Sequence, residues 1–268
     1  MTKGRFHHLS WLSGVEIFEA DLRSQTFGRH SHEGFAIGAI AAGVGGYQLR
    51  GANVLLPQGS LSLMNPDEAH TGHAASGTLR YDMLYASEET VRALLGLRHL
   101  AGFADIAPVD RGGDLARRLS RLAATLNDDR GLDRRLAIEE GVGSVLGAAF
   151  VRHGRAELRP AGREPRAVTE LHEQIAAAVD DGRSLSLGDL AGAIGLHPSY
   201  LIRSVRRSTG LTPHALVIQR RVGRARDLLG LGMPAAQAAI TAGFSDQAHM
   251  IRMVRRHFGV TPGAMIWH

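Results

Sequence analysis

The most constraining feature of this chain is a pattern that occurs twice in its last third. Tyr200-Leu-Ile-Arg-Ser-Val-Arg-Arg207 matches His249-Met-Ile-Arg-Met-Val-Arg-Arg256 at an offset of 49, and the match runs on from Gly210-Leu-Thr-Pro213 to Gly259-Val-Thr-Pro262. Upstream, Ala191-Gly-Ala-Ile-Gly195 aligns with Ala239-Ile-Thr-Ala-Gly243 after a one-residue change in the loop. Two copies are too few for a solenoid, which needs about three or more. They read as two copies of one supersecondary unit.

Each copy has the layout of a helix-turn-helix. Ser186 and Asp189 make a capping-box-like start to a short helix carrying Leu187, Leu190 and Ile194, Gly195 stops it, and Pro198 opens the next helix. In the second copy Pro234 opens a helix with Ala238 and Ile240 inward, Gly243 ends it, and Ser245 caps a helix to about His257. A glycine turn followed by an arginine-bearing helix suits insertion of that helix into a major groove. Leu201 and Val205, and Met250, Val254 and Phe258, form inward stripes at spacings of four. The opposite faces carry Ser199, Ile202, Arg203 and Arg206, and Gln247, Ala248, Ile251, Arg252 and Arg255. Arg203 and Arg252 are equivalent in the repeat; a guanidinium can make two bonds to a guanine edge, and Gln247 can pair with adenine. Arg206, Arg207, Arg255 and Arg256 sit where phosphate contacts are expected. Thr212-Pro213 starts a connecting helix to about Leu229, whose Arg220, Arg221, Arg224 and Arg226 are either backbone contacts or a charged outer face.

Charge follows the same division. Residues 1–154 hold 16 basic and 17 acidic side chains, whereas from Pro198 onward ten arginines face only Asp227 and Asp246. A neutral front joined to a basic back points to a second domain that meets a polyanion. With no cysteine in 268 residues, disulfides, thiolate zinc sites and cysteine nucleophiles are excluded. The chain has neither a spanning apolar run nor a secretory leader pattern, so the expectation is cytoplasmic, with no membrane partner.

The front half reads as short strands broken by turns over residues 15–85, among them Phe35–Ile40, Val54–Leu56, Leu61–Met64 and the alternating Leu79, Tyr81, Met83 and Tyr85. Helical signals follow: Ser87 as a cap, Leu115, Leu119, Leu122 and Leu126 as a stripe, and a helix from about Arg134 to Val151. Gly141, Gly143 and Gly147 permit close approach on that last helix, making the helix pair either a dimer surface or a site of packing within the domain. The stretch 154–166, with two prolines and two glycines among charges, reads as an exposed linker. The expected domains are therefore 1–154, a linker 155–166, and an all-helical 167–268, a two-domain α+β chain.

The residues Leu185-Ser-Leu-Gly-Asp-Leu-Ala191, His197-Pro-Ser-Tyr-Leu201, Gly210-Leu-Thr-Pro213, Ala239-Ile-Thr-Ala-Gly-Phe-Ser245 and Gly259-Val-Thr-Pro262 resemble the DNA-binding domain of AraC/XylS-type transcriptional regulators, over roughly residues 166–266. The resemblance implies two recognition helices, about Pro198–Ser208 and Asp246–His257, entering successive major grooves. Two departures stand out: Val205-Arg-Arg207 and Val254-Arg-Arg256 replace an aromatic-Lys-Lys element, and Met265-Ile-Trp-His268 replaces a closing Tyr-Arg. Arg29-His-Ser-His-Glu-Gly34, Leu56-Pro-Gln-Gly-Ser60 and Asn65–His73 resemble the family's sensor, a cupin-like β barrel. The partners this implies are double-stranded promoter DNA and a small-molecule effector, with a homodimer, and RNA polymerase if the chain activates.

His30 and His32 on one strand point to one face, and His70 and His73 converge with them in such a barrel. Three readings stay open at this point: polar groups lining an effector pocket, structural hydrogen bonders, or a metal site. Pocket lining is the working expectation, with no metal or cofactor assigned. A metal-dependent cupin enzyme fused to a DNA-binding module is the rival reading; Glu33, next to His32, points to the opposite face and leaves that enzyme's ligand set incomplete. No nucleophile elbow, phosphate loop or nucleotide fingerprint occurs, so no catalysis is expected.

Overall fold

The structure is a computed structural model and describes residues 3–23, 25–128 and 131–264; Met265–His268, where the sequence departs from the family's ending, lie outside them. The chain divides into two compact units, Met1–Asn127 with Gly141–Arg159, and Asp128–Glu140 with Pro160–His268. The expected unbroken front domain is thus interrupted, because the segment up to Glu140 packs with the helical unit. Among the described residues no helix is long and apolar enough to cross a membrane.

Among the described residues the first unit holds seven antiparallel strands: β1 (Lys3–His8), β2 (Val15–Leu22), β3 (Thr26–His30), β4 (Phe35–Leu49), β5 (Ala52–Pro57), β6 (Leu61–Met64) and β7 (His70–Ala86). Their order is β1-β2-β7-β4-β5, with β3 also on β7 and β6 also on β4. Two strands run far longer than their sequence patterns. β4 continues through Gly43, Gly45 and Gly46 by shifting register there, Gly43 taking φ +79°, a conformation that side chains resist. Those shifts let each long strand serve different neighbours at its two ends. Helix α1 (Glu88–Leu95) is capped by Ser87, whose Oγ accepts from Thr90 N at 3.2 Å.

Leu115, Leu119, Leu122 and Leu126 of α2 (Asp114–Asp128) are all buried, as their spacing predicts. On α3 (Arg134–Arg152), a Cβ at Gly141 would stand 2.9 Å from Leu122 Cδ1. The close approach is therefore to α2 of the same unit, so this glycine supports packing within the domain.

In the second unit, α4 (Pro165–Asp180), α5 (Leu187–Ile194), α6 (Pro198–Thr209), α7 (Pro213–Gly230), α8 (Ala235–Thr241) and α9 (Gln247–Phe258) follow one another. Among the described residues two apolar cores form. One joins α4, α5, α6 and the start of α7 with Leu136; the other joins the end of α7 with α8 and α9. α7 places Leu216 and Val217 in the first core and Val222 and Ala225 in the second, so one rod fixes the two helix-turn-helix units relative to each other.

Candidate functional site

The two helix-turn-helix units repeat their local chemistry. Ser186 Oγ accepts from Asp189 N at 3.0 Å and donates to Asp189 Oδ2 at 2.5 Å, closing the predicted box at the start of α5. Gly195 then ends α5 at φ +71°, and Gly243 follows α8 at φ +88°. α9 is capped by Asp246, whose Oδ1 accepts from His249 N at 2.6 Å, instead of by Ser245; a carboxylate at this N-terminus also meets the helix dipole favourably. Ile240, expected inward, is 63% exposed, while Ala238, Ala239 and Ala242 are buried. Two residues past Ala238, Ile240 lies about 200° around the helix.

α9 presents Gln247, Ala248, Arg252, Arg255 and Arg256 to solvent, while Met250 and Val254 are buried. Ile251 packs partly against the core. Phe258, expected inward, is exposed and lies beneath the Arg226 guanidinium at 5.9 Å. α6 departs further from its expected outer face. Ser199 is only 4% exposed, because it starts the helix against the core, and its Oγ accepts from Arg203 Nη1 at 3.2 Å. Ile202 packs on the core. Arg203 is half-buried over the Tyr200 ring at 5.9 Å, whereas Arg206 and Arg207 are exposed. The arginines of α7 are engaged within the unit: Arg220 pairs with Asp180 at 3.2 Å, Arg224 with Asp180 at 3.5 Å, and Arg226 with Asp227 at 2.7 Å.

Sequence reasoning missed a clamp of carboxylates on residues 131–140. Asp133 forms a two-point ion pair with Arg221, including Nη2 to Oδ1 at 2.8 Å, and the Arg221 side chain is 1% exposed. Arg221 Nη1 also donates to Ala242 O at 3.1 Å, at the end of α8. Glu139 Oε2 accepts from Leu187 N, and Glu140 Oε1 from His214 N, each at 2.6 Å, so two helix N-termini receive side-chain acceptors. Burial pushes the Glu140 carboxyl up to about 7, against the lowering effect of the bonds from His214 and Thr212. The available signal was the run Leu136-Ala-Ile-Glu-Glu140, two adjacent carboxylates inside an apolar helical stretch.

In the first unit a cavity of about 210 Å³ opens among the strands, lined by Phe18, Phe27, Ile40, Leu79, Met83, Tyr85 and others. It exceeds the roughly 150 Å³ that houses one benzene. His30, His32, His70 and His73 all border it. His30, His32 and His70 cluster, each offering one ring nitrogen within 4.8 Å of the others. His73 is not in that cluster; its ring lies against Gly46, where a Cβ would meet it at 2.6 Å. β3 ends at His30, so His32 reaches the cluster from the turn beyond the strand and not by strand alternation. Burial, together with His70 and His30, pushes the His32 imidazole down to about 4, and burial lowers His70 as well. Glu33 is exposed and outside the cluster. The aromatic lining had a weak signal, since Phe18 lies in a strand whose other buried residues, Val15, Ile17, Ala20 and Leu22, are small or aliphatic.

A family model described as the AraC-like ligand binding domain matches residues 12–144, and one described as a helix-turn-helix domain matches residues 190–266. The uncharacterized HTH-type transcriptional regulator YbfI of Bacillus subtilis (strain 168) is 26% identical over 246 residues, covering 88% of this chain and 86% of that one. The Msm operon regulatory protein of Streptococcus mutans is 32% identical over 82 residues, 30% of each chain. The crystal structure of ToxT from Vibrio cholerae with unsaturated fatty acid bound has a TM-score of 0.38 at 13% identity, over 93% of this chain and 94% of that one.

Proposed function

Because the chain belongs to the AraC/XylS-type transcriptional regulators, with an AraC-like ligand-binding domain ahead of a helix-turn-helix domain, we propose that α9 and α6 read two successive major grooves of one duplex. The protein is an effector-sensing, DNA-binding regulator. Gln247, Ala248, Ile251 and Arg252 supply base contacts from α9, and Arg255 and Arg256 meet phosphates. From α6, Arg203 reaches the bases, held by Ser199 and Tyr200, with Ile202 beside it, while Arg206 and Arg207 meet the backbone. The observation that carries this reading is the exposed Arg252-Arg255-Arg256 edge of α9 and the exposed Arg206 and Arg207 at the equivalent positions of α6, each helix behind a glycine with positive φ. Selection of bound duplexes from a random pool tests it: a recovered consensus with two half-sites supports the reading, and no enrichment sinks it.

The effector enters the cavity bordered by the histidines. α3 offers the route by which it acts, since this helix begins in the DNA-binding unit, through Glu139 and Glu140, and ends in the sensor unit. A ligand shifts the protein only by binding two states with different affinity. A regulator is favoured over the rival cupin enzyme because Glu33 does not join the imidazoles. Glu68 is committed elsewhere, pairing with Arg50 and accepting from Asn65 N.

A further inference from the structure

Tyr200, near the start of α6, is 4% exposed. Its phenol is engaged in both directions by the stretch 160–164, where the chain re-enters the helical unit at Pro160. The Oη donates to Glu164 Oε1 at 2.5 Å and accepts from Gly162 N at 3.2 Å. The first of these is a charge-assisted bond at the short end of its usual range. Gly162 is fitted to the arrangement, since a Cβ there would stand 3.0 Å from Tyr200 Oη and 2.9 Å from Glu164 Oε1. The same ring carries Arg203, whose guanidinium carbon lies 5.9 Å from its centroid and whose Nη1 donates to Ser199 Oγ at 3.2 Å. A phenol polarised by a carboxylate offers a guanidinium a more negative face. The second copy of the repeat differs at this point. His249 takes the place of Tyr200; its Nδ1 contacts Ser245 Oγ at 3.1 Å and its ring meets Phe244 edge-on at 5.3 Å. That position is held from inside its own helix-turn-helix, and the equivalent arginine, Arg252, is exposed.

We propose that Glu164 is a positioning residue for base selection: acting through Tyr200, it sets the direction in which Arg203 meets the duplex. The half-site read by α6 then depends on the connecting segment, and the half-site read by α9 does not. The proposal rests on the reading of Arg203 as a base contact. A guanidinium recognises a guanine edge through two nitrogens in one plane, so freeing the ring that carries it changes discrimination between bases first. Arg206 and Arg207, one turn on and exposed, keep their phosphate contacts whichever way Arg203 points. If the Tyr200–Glu164 bond only stapled α6 to the start of α4, its loss would weaken every duplex and both half-sites alike.

The test uses full-length protein and the duplex recovered by selection, with each base of each half-site changed in turn and Kd measured at one salt concentration. Arg203→Ala sets the scale, a loss of roughly 5- to 150-fold in discrimination at one base position of the α6 half-site. Tyr200→Phe, which keeps the ring, and Glu164→Ala each lower that discrimination ~3-fold or more, the loss of about one hydrogen bond. Glu164→Gln keeps a neutral acceptor and lowers it less. All three leave discrimination at the α9 half-site unchanged, which also shows that each variant has folded. Once Arg203 is alanine, adding Glu164→Ala alters base preference no further. Equal losses at both half-sites overturn the positioning role. So does α6 discrimination unchanged in Glu164→Ala and Tyr200→Phe while Arg203→Ala abolishes it, a result that leaves Arg203 standing as a base contact. Arg203→Ala without effect on any base preference removes that reading, and the positioning role with it.

Discussion

Asp133→Asn removes one charge from the most buried ion pair of the DNA-binding unit. Arg221 and Asp133 side chains are 1% and 4% exposed, so solvent cannot take over the neutralisation. Breaking such a pair from one side costs about 3–5 kcal/mol, because the remaining charge stays buried. Asparagine keeps one acceptor oxygen, which puts this substitution at about 3 kcal/mol. For a domain near 100 residues each kcal/mol moves Tm by roughly 4–8 °C, so thermal unfolding followed by circular dichroism should show a loss of about 12 °C or more. The paired replacement Asp133→Leu with Arg221→Met removes both charges together, and such swaps are often neutral or stabilising. The double variant should therefore be more stable than Asp133→Asn. An Asp133→Asn protein within about 0.5 kcal/mol of the original, the range of ordinary surface changes, would refute the reasoning, as would a double variant no better than the single.

Four further outcomes are expected. Arg252→Ala weakens binding to the selected duplex by about 1–3 kcal/mol and relaxes one base position, whereas Arg256→Ala weakens all duplexes alike and lowers the salt slope by about 0.9; titrations at several salt concentrations separate them. Arg203→Ala loses packing on Tyr200 as well as a base contact, so it lowers both Tm and specificity. Glu140 has a folded-state value of about 7 against an ordinary 4.5, so its protonated form stabilises the fold fully below pH 4.5, and that stability is lost as pH rises through 7; Glu140→Gln should flatten this part of the Tm–pH curve. Gly243→Ala must lower Tm, since its Cβ would fall 1.3 Å from Arg221 Nη1 at φ +88°; an unchanged Tm would contradict the packing around Arg221.

Local signals made the helical unit legible. Ser186, Gly195, Thr212 and Gly243 act within a few residues of themselves, and the positive-φ glycine after the first helix recurs in both copies. Outer-face assignments held on α9 for Gln247, Ala248, Arg252 and Arg255, but Ile251 there and Ser199 and Ile202 on α6 pack inward, because helical period gives a direction around the axis but not what packs there. The long strands β4 and β7 were legible only in pieces, since the glycines that let β4 change register also erase its alternation. The histidine cluster was visible as residue types but not as three members out of four; His32 joins from a turn and His73 is turned to Gly46, outcomes set by strand register. The Asp133–Arg221 pair spans 88 positions, a separation at which sequence pattern carries no pairing information.

The central claim is that two equivalent helices engage adjacent turns of one duplex. Hydroxyl-radical footprinting of the full-length protein on its selected duplex tests this most directly. The account predicts two protected patches on one side of the DNA, about 10–10.5 base pairs centre to centre, with Arg252→Ala weakening one patch and Arg203→Ala the other. A single protected patch, or two that respond together to either substitution, would contradict it.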